Sequence, residues 1–130
     1  MLVGGVQMNE PVKSYRELRI WQKAMDLVPK VYEQVKKLPK EETYALGDQI
    51  RRSAVSIPAN IAEGHARQHT KEFIQHLSIA KGSLAELDTL LELGQRLGYL
   101  NQLGLSEINR AIVDLRMPLQ GLINKLRAKL

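Results

Sequence analysis

The feature that most limits how this chain can fold lies near its C-terminus, where Leu105, Ile108, Ile112, Leu115, Leu119, Leu122 and Leu126 recur at alternating steps of three and four residues. Such steps return to one side of an α-helix at every turn, so the segment predicts an amphipathic helix whose apolar stripe needs partners. Three earlier segments repeat the pattern. Leu18, Trp21, Met25, Val28, Tyr32 and Val35 predict a first helix from Ser14 to about Lys37. Leu46, Ile50, Ala54, Ile57 and Ile61 predict a second that weakens at Gly64, and Phe73, Leu77, Ala80, Leu84, Leu87 and Leu91 predict a third that starts at Thr70. End signals agree with these spans: Ser14 and Glu17 have capping-box spacing, Pro39 follows the first helix, and Gly98 suits a left-handed closure of the third. No useful length of sequence alternates with the two-residue period of a strand.

Four amphipathic helices with short connections in 130 residues predict a single all-α domain, an antiparallel up-down-up-down four-helix bundle over residues 14–130, preceded by a mobile extension over residues 1–13. Pro29, Pro58 and Pro118 fall inside predicted helices, where each removes one N–H and predicts a bend. The third helix carries a second stripe, Ile79, Ser83, Glu86, Leu90, Leu93 and Leu97, more apolar than one small bundle readily buries, which predicts an oligomer. The apolar runs are too short to span a bilayer, and MLVGGV is too short for a signal-peptide core. With no cysteine, thiolate chemistry and disulfides are excluded, and the expected compartment is the cytoplasm.

Net charge is +5, distributed as +2 over residues 1–43, +1 over 44–68, −1 over 69–100 and +3 over 101–130. The excess lies in the first and last helices, which makes Arg16, Arg19, Lys23, Lys30 and Lys37, with Arg110, Arg116, Lys125 and Arg127, the candidate contacts to nucleic acid. Aromatic residues are not interleaved with them, so binding to RNA or DNA is expected through phosphates with little sequence preference. His65, His69 and His76 invite a metal reading, but Gly64 and Thr70 bracket a helix junction there and the Glu-x-x-His sets of a di-iron bundle are absent. No nucleophile elbow or phosphate-binding glycine loop occurs, so no catalytic residue, cofactor or metal site is expected.

On the second helix a polar stripe runs beside the apolar one: Gln49, Ser53, Ser56, Asn60, Glu63 and Arg67. It is small in its middle, as a close helix approach or a buried hydrogen-bonded seam requires. An antiparallel hairpin turning near residue 68 sets residue 68 − n beside residue 68 + n. Ser53, Ala54 and Ser56 then face Ala80, Gly82 and Ser83, while Arg51 and Arg52 face the neighbourhood of Glu86. Packing is the expected role, with Gln49, Arg51, Arg52, Ser53, Ser56, Asn60, Glu63, Gly82, Ser83 and Glu86 as the seam and with Gly82 and Ser56 intolerant of bulk.

The stretches YRELRIWQ (15–22), YALGDQIRRSAVSIPANIAEG (44–64) and FIQHLSIAKGSLAEL (73–87) resemble the signature blocks of a four-helix-bundle family named for the 23S rRNA intervening sequence. Matching positions include Trp21, Gln49, Arg51, Arg52, Ser56, Asn60, Glu63, Gly64, Gly82, Ser83 and Glu86; Lys81 stands where arginine is common and Ala45 where glycine is common. The resemblance implies a bacterial homopentamer without a catalytic residue. It also implies kinship with the accessory variability protein of diversity-generating retroelements, which is basic and binds a reverse transcriptase and nucleic acid. Two functions follow as expectations: a non-enzymatic oligomeric bundle that holds RNA or DNA electrostatically and recruits a protein partner, or a structural scaffold for protein–protein interaction alone.

Overall fold

The computed structural model of the protein describes residues 12–130 together with the backbone of two short strands. These strands, β1 (Leu2–Val3) and β2 (Val6–Gln7), pair antiparallel, Leu2 opposite Gln7 and Val3 opposite Val6. Apart from this ribbon and the exposed Val12 and Lys13, the extension expected over residues 1–13 lies outside the described residues. Four helices follow: α1 (Arg19–Val35), α2 (Leu46–Ala66), α3 (Thr70–Arg96) and α4 (Gln102–Arg127). One-turn 3-10 helices at Tyr15–Glu17 and Lys40–Glu42 precede α1 and α2.

The apolar stripes meet in one core. Ile50, Ala54, Ile57 and Ile61 of α2, Leu77, Ala80, Leu84, Leu87 and Leu91 of α3, and Leu105, Ile108, Ile112, Leu115 and Leu119 of α4 are all buried in it. Near the end of α4 the stripe passes from Leu122, which is half-buried, to the buried Ile123. A seven-residue repeat lags an ideal helix by about 20° per heptad, so after two heptads the adjacent residue points closer to the core.

The first helix departs from its predicted register. Its core residues are Ile20, Ala24, Leu27, Val31, Gln34 and Val35, whereas Met25 and Tyr32, predicted to be inside, are 45% and 39% exposed. The sequence carries two apolar stripes one residue out of step, and the compact aliphatic set packs against the other helices while Trp21, Met25, Val28 and Tyr32 flank it. The start differs too. Ser14 Oγ accepts from the Arg16 N–H and Glu17 Oε2 from the Lys13 N–H, each at 3.2 Å, so the capping residues close the 3-10 turn instead of opening α1. Leu18 is extended (ψ 125°) and restarts the chain at Arg19, which lets the Tyr15 ring meet Trp21 edge-on at 5.3 Å. Each of the other internal prolines behaves like Pro29: α1, α2 and α4 run on through theirs without a break.

Two residues in the left-handed region end helices. Gly98 (φ 83°) follows α3, with its N–H bonded to the Gln95 carbonyl and the Tyr99 N–H to the Gly94 carbonyl, the paired bonds of a Schellman closure. Gln68 (φ 60°) does the same work after α2, at the strain a side chain brings to that region.

Cross-helix partners fix neighbours. Between α2 and α3, Ser56 meets Ser83, Asn60 meets His76, and Gly64 lies against Phe73 and His76. Between α1 and α4, Lys30 Nζ reaches Glu107 at 3.0 Å, and between α3 and α4, Arg116 reaches Asp88 at 3.4 Å. In the α2–α3 set residue numbers fall on one helix as they rise on the other.

Candidate nucleic-acid interface and polar seam

Position along a helix decides what a cation can do, because a neighbouring acid within reach neutralises it. Among the predicted phosphate contacts, Arg16, Arg19, Lys37, Arg110, Lys125 and Arg127 are exposed and Lys23 is half-buried, and among the described residues none of these seven takes part in an ion pair. Arg16 lies over the Tyr15 and Trp21 rings, 5.7 and 5.5 Å from their centroids, which holds its guanidinium near the start of α1. Lys30 and Arg116 are occupied by Glu107 and Asp88. Lys125 and Arg127 sit in the last turn of α4, where cations also favour the carbonyl end of the helix.

The predicted set does not form one surface. Helix α1 packs against the side of α4 that carries Glu107, whereas Arg116 and Arg127 turn towards α3 and line a cleft with Lys81 and Gly82. Lys81 was outside the predicted set. Its signal lay in the step of four from Lys81 through Ala85, which places it on the face that meets α4.

The polar seam is narrower than its sequence stripe. Asn60 Nδ2 donates to the Ser56 carbonyl at 2.9 Å and to Ser56 Oγ at 3.0 Å, and Asn60 Oδ1 faces His76 Nδ1 at 3.1 Å. With the amide oriented in this way, Nδ1 of His76 carries the proton. Ser56 Oγ also shares a hydrogen bond of 2.8 Å with Ser83 Oγ, so the chain of bonds links His76, Asn60, Ser56 and Ser83. His76 is a member that the sequence reading missed, although the hairpin relation about residue 68 pairs position 60 with position 76.

Other predicted members stand elsewhere. Ser53 is buried, but its hydroxyl donates back to the Ile50 carbonyl on its own helix at 2.9 Å. Gln49, Arg52 and Glu86 are exposed. Arg51 does not turn to Glu86: its Nη2 donates to the Thr43 carbonyl at 2.8 Å and pairs with Asp48, because both acceptors lie within a turn of the α2 start while Glu86 is across the next helix. Arg52 stands in an open cleft with Tyr32 and Val55. Glu63 is exposed and holds Arg67 at 2.9 Å; that hydrogen bond, with the nearby His76 adding a smaller effect, keeps its carboxyl below the usual range. Gly82 is the clearest correction. A Cβ built there meets nothing within 4 Å, so it is not a point of close approach, whereas one built on Gly64 would lie 2.5 Å from the His76 Cβ. The tight approach of α2 and α3 is thus at Gly64, near the hairpin turn.

The remaining histidines have structural surroundings. His65 meets Phe73 edge-on at 5.6 Å, and His69 is the exposed residue before α3. Among the described residues no three His, Asp or Glu side chains are grouped as a metal site, and no helix is long and apolar enough to cross a membrane. At the opposite end of the bundle, Tyr99 donates to Glu42 Oε2 at 3.2 Å, and this bond, ahead of burial, raises the phenol above its ordinary range.

Fold and site thus define a basic, all-α four-helix bundle with a polar seam between its middle helices. The family model described as 23S rRNA-intervening sequence protein matches residues 16–121, and the chain belongs to that family. It is also similar to the crystal structure of a protein with unknown function from the S23 ribosomal protein family of Bacteroides thetaiotaomicron, with a TM-score of 0.74 and 28% identity over 80% of this chain and 97% of that one. No curated protein matches it.

Proposed function

We propose that this chain acts without catalysis, as an oligomeric bundle that holds RNA or DNA through its phosphates. The observation that carries the reading is the set of exposed cations on α1, just after it and on α4, Arg19, Lys37, Arg110, Lys125 and Arg127, that no acid neutralises among the described residues. The cross-helix partners support an up-down-up-down arrangement of the four helices. Self-association is supported by α3, where Ile79, Leu93 and Leu97 are 45%, 43% and 58% exposed along the stripe that contains the buried Leu90; the family resemblance makes a pentamer the leading stoichiometry. A protein partner such as a reverse transcriptase belongs to the same reading, since repeated copies present several docking faces at once. Repetition also turns a modest basic patch into a multivalent one, which raises apparent affinity by about 10² to 10⁴ where the geometry fits.

Fluorescence anisotropy with labelled RNA and DNA over a salt series tests the reading, with light scattering for the mass. Binding should weaken steeply as salt rises, because counterion release drives it. Combined Arg19→Glu, Lys37→Glu and Arg110→Glu should weaken it without breaking any ion pair formed among the described residues. Absence of binding at low salt would leave the protein-scaffold reading in its place.

A further inference from the structure

The cleft between α3 and α4 has a volume of about 360 Å³, in the range of ligand-sized pockets. Its floor is apolar, built from the buried Leu84 and Ile123. Its rim is cationic: Lys81 from α3, and Arg116 and Arg127 from α4. At a rise of 1.5 Å per residue the two arginines stand about 16 Å apart along α4, with Lys81 opposite the Arg127 end. Among the described residues one acid competes. Asp88 reaches Arg116 at 3.4 Å, longer than a charge-assisted bond, between half-exposed groups, so a phosphate can recapture that guanidinium. Lys81 and Arg127 take part in no ion pair among the described residues. The cleft is open at Gly82, where an added Cβ would touch nothing within 4 Å.

We propose that this α3–α4 cleft is a seat for the backbone of a single-stranded polynucleotide, a proposal that rests on the nucleic-acid reading above and gives it a location. Three cations spread along a narrow channel match a chain of regularly spaced phosphates, and arginine forks suit phosphate oxygens. The apolar floor receives sugar and base faces that a single strand exposes and a duplex hides. Adjacent helices lie about 8–10 Å apart, so the space between them is too narrow for a duplex to enter. With no aromatic side chain on the floor, base stacking contributes little and sequence preference is weak.

Gly82 supplies a clean test. Gly82→Leu fills the cleft from a position with free space, adds no charge, and leaves every cation in place. The probe is a labelled oligouridylate, compared with a duplex of equal length and with polyglutamate as competitor, for the parent, Gly82→Leu and Lys81→Glu/Arg127→Glu. The expected result is preferential binding of the single strand by the parent, weakened at least about tenfold in both variants, with mass unchanged and melting of Gly82→Leu no lower than that of the parent. If the parent binds but Gly82→Leu binds equally well, the cleft is not the seat and the nucleic-acid reading survives. Equal binding of duplex and single strand, displacement by polyglutamate as effective as by oligouridylate, or a Gly82→Leu defect that appears only with a change of oligomer mass would each overturn the assignment. Failure of the parent to bind either polynucleotide would reject the assignment and the nucleic-acid reading together.

Discussion

Gly64 and Gly82 occupy the middle helices in similar sequence surroundings, yet alanine should act on them with opposite sign. At Gly64 the new Cβ would sit 2.5 Å from the His76 Cβ and 3.2 Å from a Phe73 ring carbon. Carbon atoms prefer about 3.5–4.0 Å, so α2 and α3 must move apart by roughly 1 Å or bend locally. Neither contacting atom is the free end of a flexible chain, which places the cost near the upper part of the overpacking range, about 2–3 kcal/mol. Replacing a helix-interior glycine returns about 1 kcal/mol of propensity. The net expectation is destabilisation by about 1–2 kcal/mol. At Gly82, exposed within α3 and without a neighbour inside 4 Å, only the propensity gain applies, so Gly82→Ala should stabilise by up to about 1 kcal/mol. Urea denaturation of both variants, read as a change of midpoint at constant slope, measures the difference directly. A Gly64→Ala protein as stable as the parent, or a destabilised Gly82→Ala, would refute this account of the helix crossing.

Two further outcomes follow from the polar contacts. Asn60→Ala removes the amide that joins His76 to Ser56, leaving their facing groups to find solvent in a half-buried seam, and should cost about 1–2 kcal/mol in the same urea assay; no loss would mean that the seam carries no net stability. Tyr99 has a folded-state value raised above 10.0 because its neutral hydroxyl donates to the Glu42 carboxylate, so the stabilisation is complete below pH 10 and is lost as pH climbs from there through the raised value. Tyr99→Phe should therefore lower stability at neutral pH and flatten the alkaline decline of the melting temperature, and an identical alkaline profile in the variant would exclude this bond as its source.

The sequence made the elements legible wherever a single apolar stripe stood against a polar background. Apart from Leu46 and Phe73, which are half-buried, the stripes of α2, α3 and most of α4 name buried residues directly, and Gly98 announces the closure of α3, because helical period and left-handed backbone are local properties. The hairpin relation about residue 68 also set the Ser53–Ser56 segment opposite Ala80–Ser83, since short connections leave little freedom in how two helices pair, but it matched position 56 with position 80, and the partner that Ser56 takes is Ser83. Helix α1 was ambiguous for a local reason: Ile20/Trp21, Ala24/Met25, Leu27/Val28 and Val31/Tyr32 offer two stripes of equal period, and shape fit to α2 and α4 selects between them. The same holds for the small residues. Gly64 and Gly82 are indistinguishable until packing sets one against His76 of α3 and leaves the other on the exposed face of α3 beside α4. Arg51 turned back to Asp48 and Thr43 because a long side chain takes the nearest acceptor, a choice made in three dimensions. The basic residues could be counted along the chain, but their division between an α1 face and an α3–α4 cleft depends on which side of α4 meets each neighbour. Periodicity is carried by adjacent residues and survives in one dimension, whereas crossing distance and the partner of a charge are properties of pairs far apart in sequence and exist only once the helices have packed.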